Sequence, residues 1–368
     1  MSQRLERLLT RMKTDGLDAV AVIPGPTFIY LTGLSFHLME RPAVLLIRDG
    51  HKPVLVLSEF ERSKADRSSI ALETQTYGED PGRWPDAFAA AARRLDLAGA
   101  RIGVEPLRMR VHELRFLEGA APTAEVVAAS GLFESLRIVK DPDELDSMRR
   151  AVAIAETAVE STLPLLRLGM TEKEIAAELT LQLLRGGSET ELPFQPIVAT
   201  GPNSALPHWV PGDRTTAPGD LLIIDWGATV EGYISDITRT FSVGNPDQRA
   251  KEIHKVVHQA NATGRAAVRP GASGADVDEA TRKVIADAGF GEFFLHRTGH
   301  GIGMEAHEPP YIRDGNLAVL EAGMTFTVEP GIYLPDFGGV RIEDNLVMTN
   351  AGGETMTSLP RELRTICD

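Results

Sequence analysis

The chain has 368 residues, of which 43% are hydrophobic and 24% charged, and its formal net charge is −14. This length favours two domains, and the composition is that of a globular protein rather than a disordered one. The negative charge argues against a nucleic acid or an anionic membrane as a partner, because the electrostatic contribution to binding would be repulsive.

The N-terminus and the cysteine content bear on the cellular compartment. Residues 1–7 open an amphipathic helix without the apolar core or the small-residue cleavage site of a signal peptide. No uninterrupted apolar run approaches the length that spans a bilayer. Cys367 is the single cysteine of the sequence, so no intrachain disulfide can form, which fits a reducing compartment. These features favour a cytoplasmic protein.

Residues 1–135 alternate between helical and strand patterns, which is typical of an α/β domain. Helical periodicity runs from Arg4 to Asp15 and recurs near residues 84–96 and 109–119. Short apolar runs predict strands at Ala19–Ile23, Ala43–Ile47, Pro53–Leu57 and Ile102–Val104.

A helix start marks the beginning of the second predicted domain, residues 136–368. Asp141 is a suitable N-cap, Pro142 fits the first helical position, and Glu144 completes a capping box. We therefore predict a long helix from this point to about Leu166.

A weak internal repeat links two parts of the second domain. Arg167–Thr171 followed by Glu174–Ile175 matches Arg269–Ser273 followed by Asp276–Val277 at an offset of 102 residues. Each copy ends one helix at a glycine and starts another with a capped Thr or Ser. Two such junctions can also resemble each other by chance, because these caps are common. A true repeat would give the domain two related halves, with a site where they meet.

Two acidic residues interrupt an apolar hairpin in the segment IIDWGATVEGYISDITRT. Asp225 follows the apolar run Leu221–Ile224, and Asp236 lies in the returning strand at the same distance from Val230–Glu231. A turn there, with Gly232 supplying backbone freedom, would make the two aspartates direct cross-strand neighbours. Buried like charges repel, so either the pair shares a proton or a cation lies between them.

A second pair of acids follows in the other half of the domain. Glu329 ends the apolar strand Phe326–Val328, and Glu343 lies equally far from a turn near Asp336. Between the two hairpins, His300 is flanked by glycines that permit close backbone approach. Four carboxylates and one imidazole, if they converge, would bind one or two divalent cations such as Mn²⁺, Co²⁺, Fe²⁺ or Zn²⁺.

Taken singly, these residues have simpler interpretations. An Asp at a strand end is most often a turn or cap residue, and a single His is most often a hydrogen-bonded structural residue. His307–Pro310 is not the helical zinc motif HExxH, because prolines stop a helix. Gly299–Gly303 lacks the strand-then-helix setting of a dinucleotide loop. The metal-site hypothesis therefore depends on the joint pattern.

These segments resemble the methionine aminopeptidase/prolidase (pita-bread) metallopeptidase superfamily, in the branch that includes Xaa-Pro dipeptidases (prolidases) and aminopeptidase P. The motifs that carry the resemblance are IDWGATVEGYISDITRTF, HRTGHGIGMEAHEPP, FTVEPGIY, VRIEDN and TGPNSALPHW, with a weaker match at IYLTGL. The resemblance covers essentially the whole chain. It implies an α+β protein, in which an α/β creatinase-like N-terminal domain precedes a pita-bread catalytic domain with pseudo-twofold halves.

The resemblance also implies a set of metal ligands. Five residues would bind two divalent ions, with Mn²⁺ as the first choice and Co²⁺, Zn²⁺ or Fe²⁺ as alternatives: Asp225, Asp236, His300, Glu329 and Glu343. In the family pattern Asp236 and Glu343 bridge the two ions. None of the five is substituted, which argues against a creatinase-like or non-enzymatic relative.

The implied reaction is hydrolysis of an Xaa-Pro peptide bond by a water molecule that the metals activate. Glu329 would accept the proton of the water and pass it to the leaving nitrogen. His208 and His307 would position the substrate and stabilise the oxyanion. His296 would line the proline-side pocket, and Arg341 would support the site or bind polar groups of the substrate.

One position departs from the pattern of many prolidases. An arginine that holds the free carboxylate of a C-terminal proline is replaced here by Tyr311. Arg41 is a candidate substitute, because it lies in an N-terminal loop of the kind that closes over the site in the family's usual homodimer. The competing interpretation of Arg41 is a solvated loop charge.

The leading hypothesis is an Xaa-Pro dipeptidase that acts on proline-containing dipeptides. Aminopeptidase P, which acts on longer Xaa-Pro peptides, is the first alternative. A metal-dependent hydrolase of another small amide is the second, because fold does not fix chemistry. A non-enzymatic binding module on the same fold is the third.

Overall fold

The computed structural model describes residues 3–367. The chain divides into two compact units on either side of the Arg137–Ile138 bond. The first two residues of the predicted N-terminal helix lie outside the described residues. Among residues 3–367, no helix is both long enough and apolar enough to cross a membrane.

The first unit is a mixed sheet with helices packed against it. Its helices are α1 (Gln3–Thr14), α2 (Pro26–Thr32), α3 (Arg62–Ala65), α4 (Trp84–Arg94), α5 (Val111–Ala120) and α6 (Ser130–Arg137). Its strands are β1 (Ala19–Val22), β2 (Val44–Arg48), β3 (Val54–Ser58), β4 (Glu73–Tyr77), β5 (Arg101–Val104) and β6 (Glu125–Ala128). The strand order is β4-β3-β2-β1-β5-β6, with β1 parallel to β5 and antiparallel to β2.

The four strands predicted from apolar runs are confirmed to within one residue at each end, as β1, β2, β3 and β5. The two strands that were not predicted, β4 and β6, lie at the edges of the sheet. Their sequences, ETQTY and EVVA, contain polar residues and are largely half-buried. An edge strand keeps one side in water, so it lacks the continuous apolar run of a central strand.

The second unit contains longer helices and two larger sheets. Its helices are α7 (Pro142–Thr162), α8 (Glu172–Arg185), α9 (Gln248–Ala267) and α10 (Gly274–Asp287). Its strands up to the second hairpin are β7 (Ile197–Thr200), β8 (Leu221–Trp226), β9 (Thr229–Val230), β10 (Tyr233–Ile234), β11 (Ile237–Val243), β12 (Gly299–Gly301), β13 (Glu308–Ile312) and β14 (Thr325–Val328). The remaining strands are β15 (Gly331–Leu334), β16 (Gly338–Arg341), β17 (Asp344–Thr349), β18 (Gly352–Thr355) and β19 (Arg364–Ile366).

Each of the two sheets is covered by a pair of helices. The sheet β19-β11-β8-β7 packs against α7 and α8 through an apolar cluster that includes Ile224, Trp226 and Leu179. The sheet β13-β12-β14-β17-β18 packs against α9 and α10 through a cluster that includes Val277 and Phe326. Burial of these apolar faces is the main stabilising contribution, and it leaves the opposite faces of the sheets free to carry polar groups.

The predicted start of α7 is confirmed. Asp141 Oδ1 accepts from the Glu144 amide (3.0 Å), and Glu144 Oε2 accepts from the Asp141 amide (2.7 Å), which completes a capping box with Pro142 at the first position. The α-helix ends at Thr162, and a 3₁₀ turn over Leu163–Leu165 follows.

The predicted repeat corresponds to two helices with the same kind of N-terminus. Thr171 caps α8 in a capping box with Glu174, and Ser273 caps α10 in a capping box with Asp276. Both capping residues also form an isolated antiparallel bridge to a later segment. The two halves of the unit therefore share a helix start and a returning segment, as a duplicated structure would.

Replacement of Asp141 by Ala should destabilise the protein by about 1 kcal/mol, the usual value of a helix N-cap. Asp143→Ala is the matched control, because Asp143 is exposed in the same first turn and its substitution removes the same charge. Urea unfolding of the three proteins measures the difference. Equal losses in the two variants would show that charge rather than the capping box is responsible.

Candidate metal centre

The first acidic hairpin turns one residue later than predicted. Glu231 and Gly232 both have positive φ (53° and 76°), so they are the two central residues of a tight turn. β8 and β11 consequently pair Asp225 with Thr238, and the expectation that Asp225 directly faces Asp236 is wrong. Asp236 lies two residues before Thr238, in the break between β10 and β11. A shift of two residues along a strand preserves the face, because side chains alternate with a period of two.

The second acidic hairpin has the predicted register. β14 pairs Val328 with Asp344, and β15 pairs Gly331 with Arg341. Glu329 therefore directly follows Val328 on one side of the hairpin, and Glu343 directly precedes Asp344 on the other. Both glutamates occupy breaks between strands. A break frees the side chain from the regular alternation of the sheet and lets it point into the space between the two sheets.

The structure brings predicted ligands from both hairpins together. One nitrogen or oxygen atom each of Asp236, His300 and Glu343 lies within 4.8 Å of the other two, and all three residues are buried. Glu329 belongs to the same group, because its Oε1 is 3.3 Å from His300 Nε2. Asp236 Oδ2 is 3.7 Å from the same nitrogen.

Asp225 lies near the group, because its charge acts on Asp236, Glu329 and Glu343. Arg341 Nη2 donates to Asp225 Oδ2 (2.7 Å), whereas Oδ1 is buried and has no hydrogen-bond partner within residues 3–367. A buried carboxylate oxygen without a donor is costly, so it indicates a position where a cation is expected.

Electrostatics in the cluster reflects the crowding of negative charge. Burial and the charge of Asp225 raise the pKa of Glu329 to about 8, although Arg341 opposes the rise. Burial and the neighbouring Glu343 raise the pKa of Asp236 well above its ordinary range. Burial and Glu329 do the same to the pKa of Glu343. The protein alone therefore holds protons in this site that solvent-exposed carboxyls would release.

His300 is oriented as a ligand. Its Nδ1–H donates to the carbonyl oxygen of Gly301 (3.2 Å), which leaves the lone pair of Nε2 directed toward Asp236 and Glu329. Burial, with a smaller effect of His307, depresses the pKa of His300 well below the ordinary value, so the imidazole is neutral at pH 7. A neutral imidazole with one fixed N–H is the form that binds metals.

His296 belongs to a hydrogen-bonded chain rather than to the ligand set. Burial lowers the pKa of His296 to about 3, so the ring is neutral. Its Nδ1–H donates to the carbonyl oxygen of Arg297 (2.7 Å), and its Nε2 therefore accepts from the hydroxyl of Tyr333 (2.8 Å). Tyr333 in turn accepts from Arg341 Nη1 (2.9 Å). Both nitrogens of His296 are used in these hydrogen bonds, so the ring lines the site and has no nitrogen left to bind a metal ion.

A cavity of about 300 Å³ opens beside the cluster. It is lined by Pro207, His208, His296, Arg297, His300, His307, Glu329 and Arg341. His307 is exposed and its ring lies edge-on to His300, with centroids 4.1 Å apart. Partial desolvation by the surrounding protein, and the charges of Arg297 and His208, lower the pKa of His307. The cavity thus presents imidazoles, one carboxyl group and two guanidinium groups to a bound molecule.

Two of the residues proposed to bind substrate are placed differently from the others. Arg41 lies in the first unit, where its guanidinium donates to both oxygens of Glu79 (2.9 and 3.0 Å) and to Glu40 (2.9 Å). Tyr311 lies in β13 and packs its ring under Arg297, whose guanidinium carbon is 4.6 Å from the ring centroid. The role of Arg41 in substrate binding stays a prediction.

Arg297 is the cavity residue that the sequence interpretation missed. Within residues 3–367 no carboxylate oxygen lies within 4.0 Å of its guanidinium, and its charge lowers the pKa of both His307 and Glu329. The sequence feature that could have identified Arg297 as a site residue is its position in the motif HRTGHG, between His296 and His300.

Similarity to known proteins fits this arrangement. Residues 146–350 match metallopeptidase family M24, and residues 4–139 match the creatinase/prolidase N-terminal domain. The chain belongs to metallopeptidase family M24. The predicted family, fold class and enzyme class are confirmed.

Individual M24 relatives extend the similarity over the whole chain. An Xaa-Pro dipeptidase of Lactobacillus helveticus is 34% identical over 354 residues, which are 96% of each chain. A dipeptidase structure from Pyrococcus horikoshii superposes with a TM-score of 0.93 at 36% identity, covering 99% of this chain and 100% of that one. An X-Pro aminopeptidase structure from Thermotoga maritima has a TM-score of 0.86 at 32% identity, covering all of both chains.

Membership of M24 implies that the site binds divalent metal ions, and the donor set fits them. The group combines carboxylates with one neutral imidazole, which suits divalent transition metals better than a thiolate site would. The unpartnered Oδ1 of Asp225 and the raised pKa values of Asp236 and Glu343 are the features that a divalent cation would relieve.

Chelator-stripped protein should lose stability as the pH rises from about 5 to 8. The pKa of Glu329 is higher in the folded state than in the unfolded chain, so the folded state binds more protons over this interval. Added Mn²⁺ should oppose the loss, by about 2.7 kcal/mol at a hundredfold excess over the dissociation constant. Urea unfolding at several pH values, with and without metal, measures both effects.

Glu329→Gln should make the stripped protein more stable than wild type at pH 8 and should weaken the stabilisation by metal. Glu252→Gln is the control, because Glu252 is exposed on α9 and the charge change is the same. A stripped wild type whose stability is flat between pH 5 and 8 would contradict the electrostatic interpretation.

Proposed function

We propose that this protein hydrolyses Xaa-Pro peptide bonds, with Xaa-Pro dipeptides preferred over longer peptides. The observation that carries the proposal is the buried group of Asp236, His300 and Glu343, with Glu329 against His300, beside a cavity lined with histidines. The relatives named Xaa-Pro dipeptidase, which match nearly the full chain, supply the choice of bond.

Five side chains would hold two divalent ions: Asp225, Asp236, His300, Glu329 and Glu343. The ions, when bound, would lower the pKa of a water molecule and polarise the carbonyl group of the scissile bond. Mn²⁺ is the proposed metal, and Co²⁺, Zn²⁺ or Fe²⁺ are the alternatives that the same donors accept.

Glu329 is suited to move a proton during the reaction. It is the carboxylate of the cluster that lines the cavity, and Thr327 Oγ1 lies 3.4 Å from its Oε1. Its carboxylate would take the proton of the attacking water and return it to the nitrogen of the leaving proline. The return step matters because the proline nitrogen of a tertiary amide leaves poorly unless it is protonated.

His208 and His307 would act on the carbonyl oxygen of the substrate. Both line the cavity, and the lowered pKa of His307 keeps its ring uncharged at pH 7. A neutral imidazole donates one N–H, which can stabilise the oxygen of the scissile carbonyl as negative charge develops on it.

Arg297 favours dipeptides over longer peptides. Its guanidinium lines the cavity, packs on the Tyr311 ring and has no carboxylate partner within 4.0 Å among residues 3–367. A free α-carboxylate of a C-terminal proline is the anion that such a cation would bind. Aminopeptidase P is the alternative, supported by the similarity to the Thermotoga maritima X-Pro aminopeptidase. The cytoplasmic location and the homodimer stay predictions.

Cleavage of Ala-Pro and Ala-Pro-Ala by chelator-stripped protein, with and without Mn²⁺, tests the function directly. We expect metal-restored cleavage, faster for the dipeptide than for the tripeptide. Faster cleavage of the tripeptide would make the protein an aminopeptidase P. Binding of metal without cleavage of either peptide would refute the proline assignment and favour another small amide as substrate.

Arg297→Met should lower kcat/KM for Ala-Pro by roughly 10- to 100-fold, the value of a lost hydrogen bond to a charged group. The effect on Ala-Pro-Ala should be smaller, because its carboxylate lies one residue farther away. Arg313→Met is the control, since Arg313 is exposed and donates to the Asp314 carbonyl (2.8 Å). Equal losses on the two peptides would contradict a role in carboxylate recognition.

A further inference from the structure

Glu172, the first residue of α8, is a carboxylate that is 0% exposed. Its Oε1 accepts from the Thr200 amide (2.8 Å), the Thr200 hydroxyl (3.2 Å) and Asn203 Nδ2 (2.9 Å). Its Oε2 accepts from Trp209 Nε1 (2.7 Å) and the Gly212 amide (2.9 Å). Burial of a carboxylate costs the hydration of its charge, and hydrogen-bond donors must replace the lost water. Here five donors do so.

All five donors belong to residues 200–212, which we call the His208 segment. Thr200 and Asn203 bind Glu172 at one end of the segment, and Trp209 and Gly212 bind it at the other. Residues 204–208 therefore form a loop, which we call the arch, and the residues at both of its ends are hydrogen-bonded to the carboxylate of Glu172.

His208 depends on this arch for its position. The ring lines the cavity, but it is exposed, and within residues 3–367 its side chain makes no hydrogen bond. The arch touches the site at Pro207, whose carbonyl oxygen lies 3.4 Å from Arg341 Nη1. It also touches β16, where the Gly339 amide donates to Ser204 Oγ (2.8 Å).

The repeat shows that a carboxylate is not needed to start this kind of helix. α10 has the same capping box as α8, yet its first residue is Gly274. A Cβ atom there would lie 2.6 Å from the Tyr311 carbonyl oxygen and 2.8 Å from Asn316 Nδ2. In the half that contains α10, the returning segment is held by a hydrogen bond within itself, because Asn316 Nδ2 donates to the Tyr311 carbonyl oxygen (2.6 Å). Glu172 therefore serves the His208 segment and not the helix itself.

We propose that Glu172 is a positioning residue for peptide hydrolysis, and that it acts by holding the His208 segment in place. This proposal rests on the proposed function, because His208 is assigned there to the substrate carbonyl. A small displacement of a group that stabilises developing charge lowers the rate strongly, so a residue that fixes its backbone contributes to catalysis without touching the substrate.

Hydrogen exchange tests the structural part without any substrate. Glu172→Gln replaces one acceptor oxygen by an NH₂ group that faces donors, so exchange at the Thr200 and Gly212 amides should become roughly tenfold faster. Glu174→Gln is the matched control, because it lies two residues later, makes the same charge change and retains a side chain that completes a capping box. Unchanged exchange in Glu172→Gln would overturn the proposal.

Kinetics on Ala-Pro with Mn²⁺ tests whether the effect passes through His208. Glu172→Gln should lower kcat/KM by roughly 10- to 100-fold, as for other groups that orient a catalytic residue. In a His208→Ala background the same change should cost less than about twofold, because coupled residues are not additive. The same large factor in both backgrounds would show a general structural role and overturn the proposal.

Asn203→Ala gives a second route if Glu172→Gln does not fold. It removes one donor and leaves the carboxylate with four, so the same amides should exchange faster by a smaller factor, and unchanged exchange would contradict the proposal.

The two proposals fail in distinguishable ways. A wild type that cleaves no Xaa-Pro peptide refutes the function, while the exchange of Thr200 and Gly212 still decides whether Glu172 holds the segment.

Discussion

Repulsion among buried carboxylates is the constraint on which the catalytic unit depends. Four acids enclosed by apolar sheets cannot all be ionised unless positive charge lies beside them. Arg341 supplies one such charge, and it is itself held by Tyr333, Thr238 and Asp225 (2.9, 3.0 and 2.7 Å). Arg341 and Arg297 together cannot balance four carboxylates, so the remaining charge is met by protons in the protein alone and would be met by divalent cations when they are bound.

The framework around Glu343 shows how a crowded site is kept in register. Its neighbour Asp344 is fully buried and binds Arg239 (2.8 Å), Arg361 (2.7 Å) and Arg265 (3.5 Å). In this second network three guanidinium groups surround a single carboxylate, so the charge of Asp344 is more than balanced. It fixes the start of β17, so that Glu343 is oriented by the backbone and does not move away from its like-charged neighbours.

The sequence was informative where a local rule decides the structure. The capping box at Asp141 follows from side-chain chemistry and is present, and the backbone freedom of Gly232 indicated a turn that lies one residue later than Val230–Glu231. The pairing of Asp225 was misplaced by two residues, because apolar alternation fixes the face of a strand but not its register. Arg297 was missed although it lies within the motif HRTGHG, whereas Glu172 could not be assigned, since its contacts are with a distant segment that no local pattern encodes.

The two related halves contribute unequally to the site. Asp225 and Asp236 come from the first hairpin, whereas His300, Glu329 and Glu343 come from the second half. Direct links between the halves include the Glu343 amide on the Thr238 carbonyl (3.1 Å) and the Thr238 hydroxyl on Glu343 Oε2 (2.6 Å). Ions bound by both sets of ligands would join the halves further, because the free energy of binding adds to the free energy of folding. The same ions would therefore serve catalysis and hold the two sheets together.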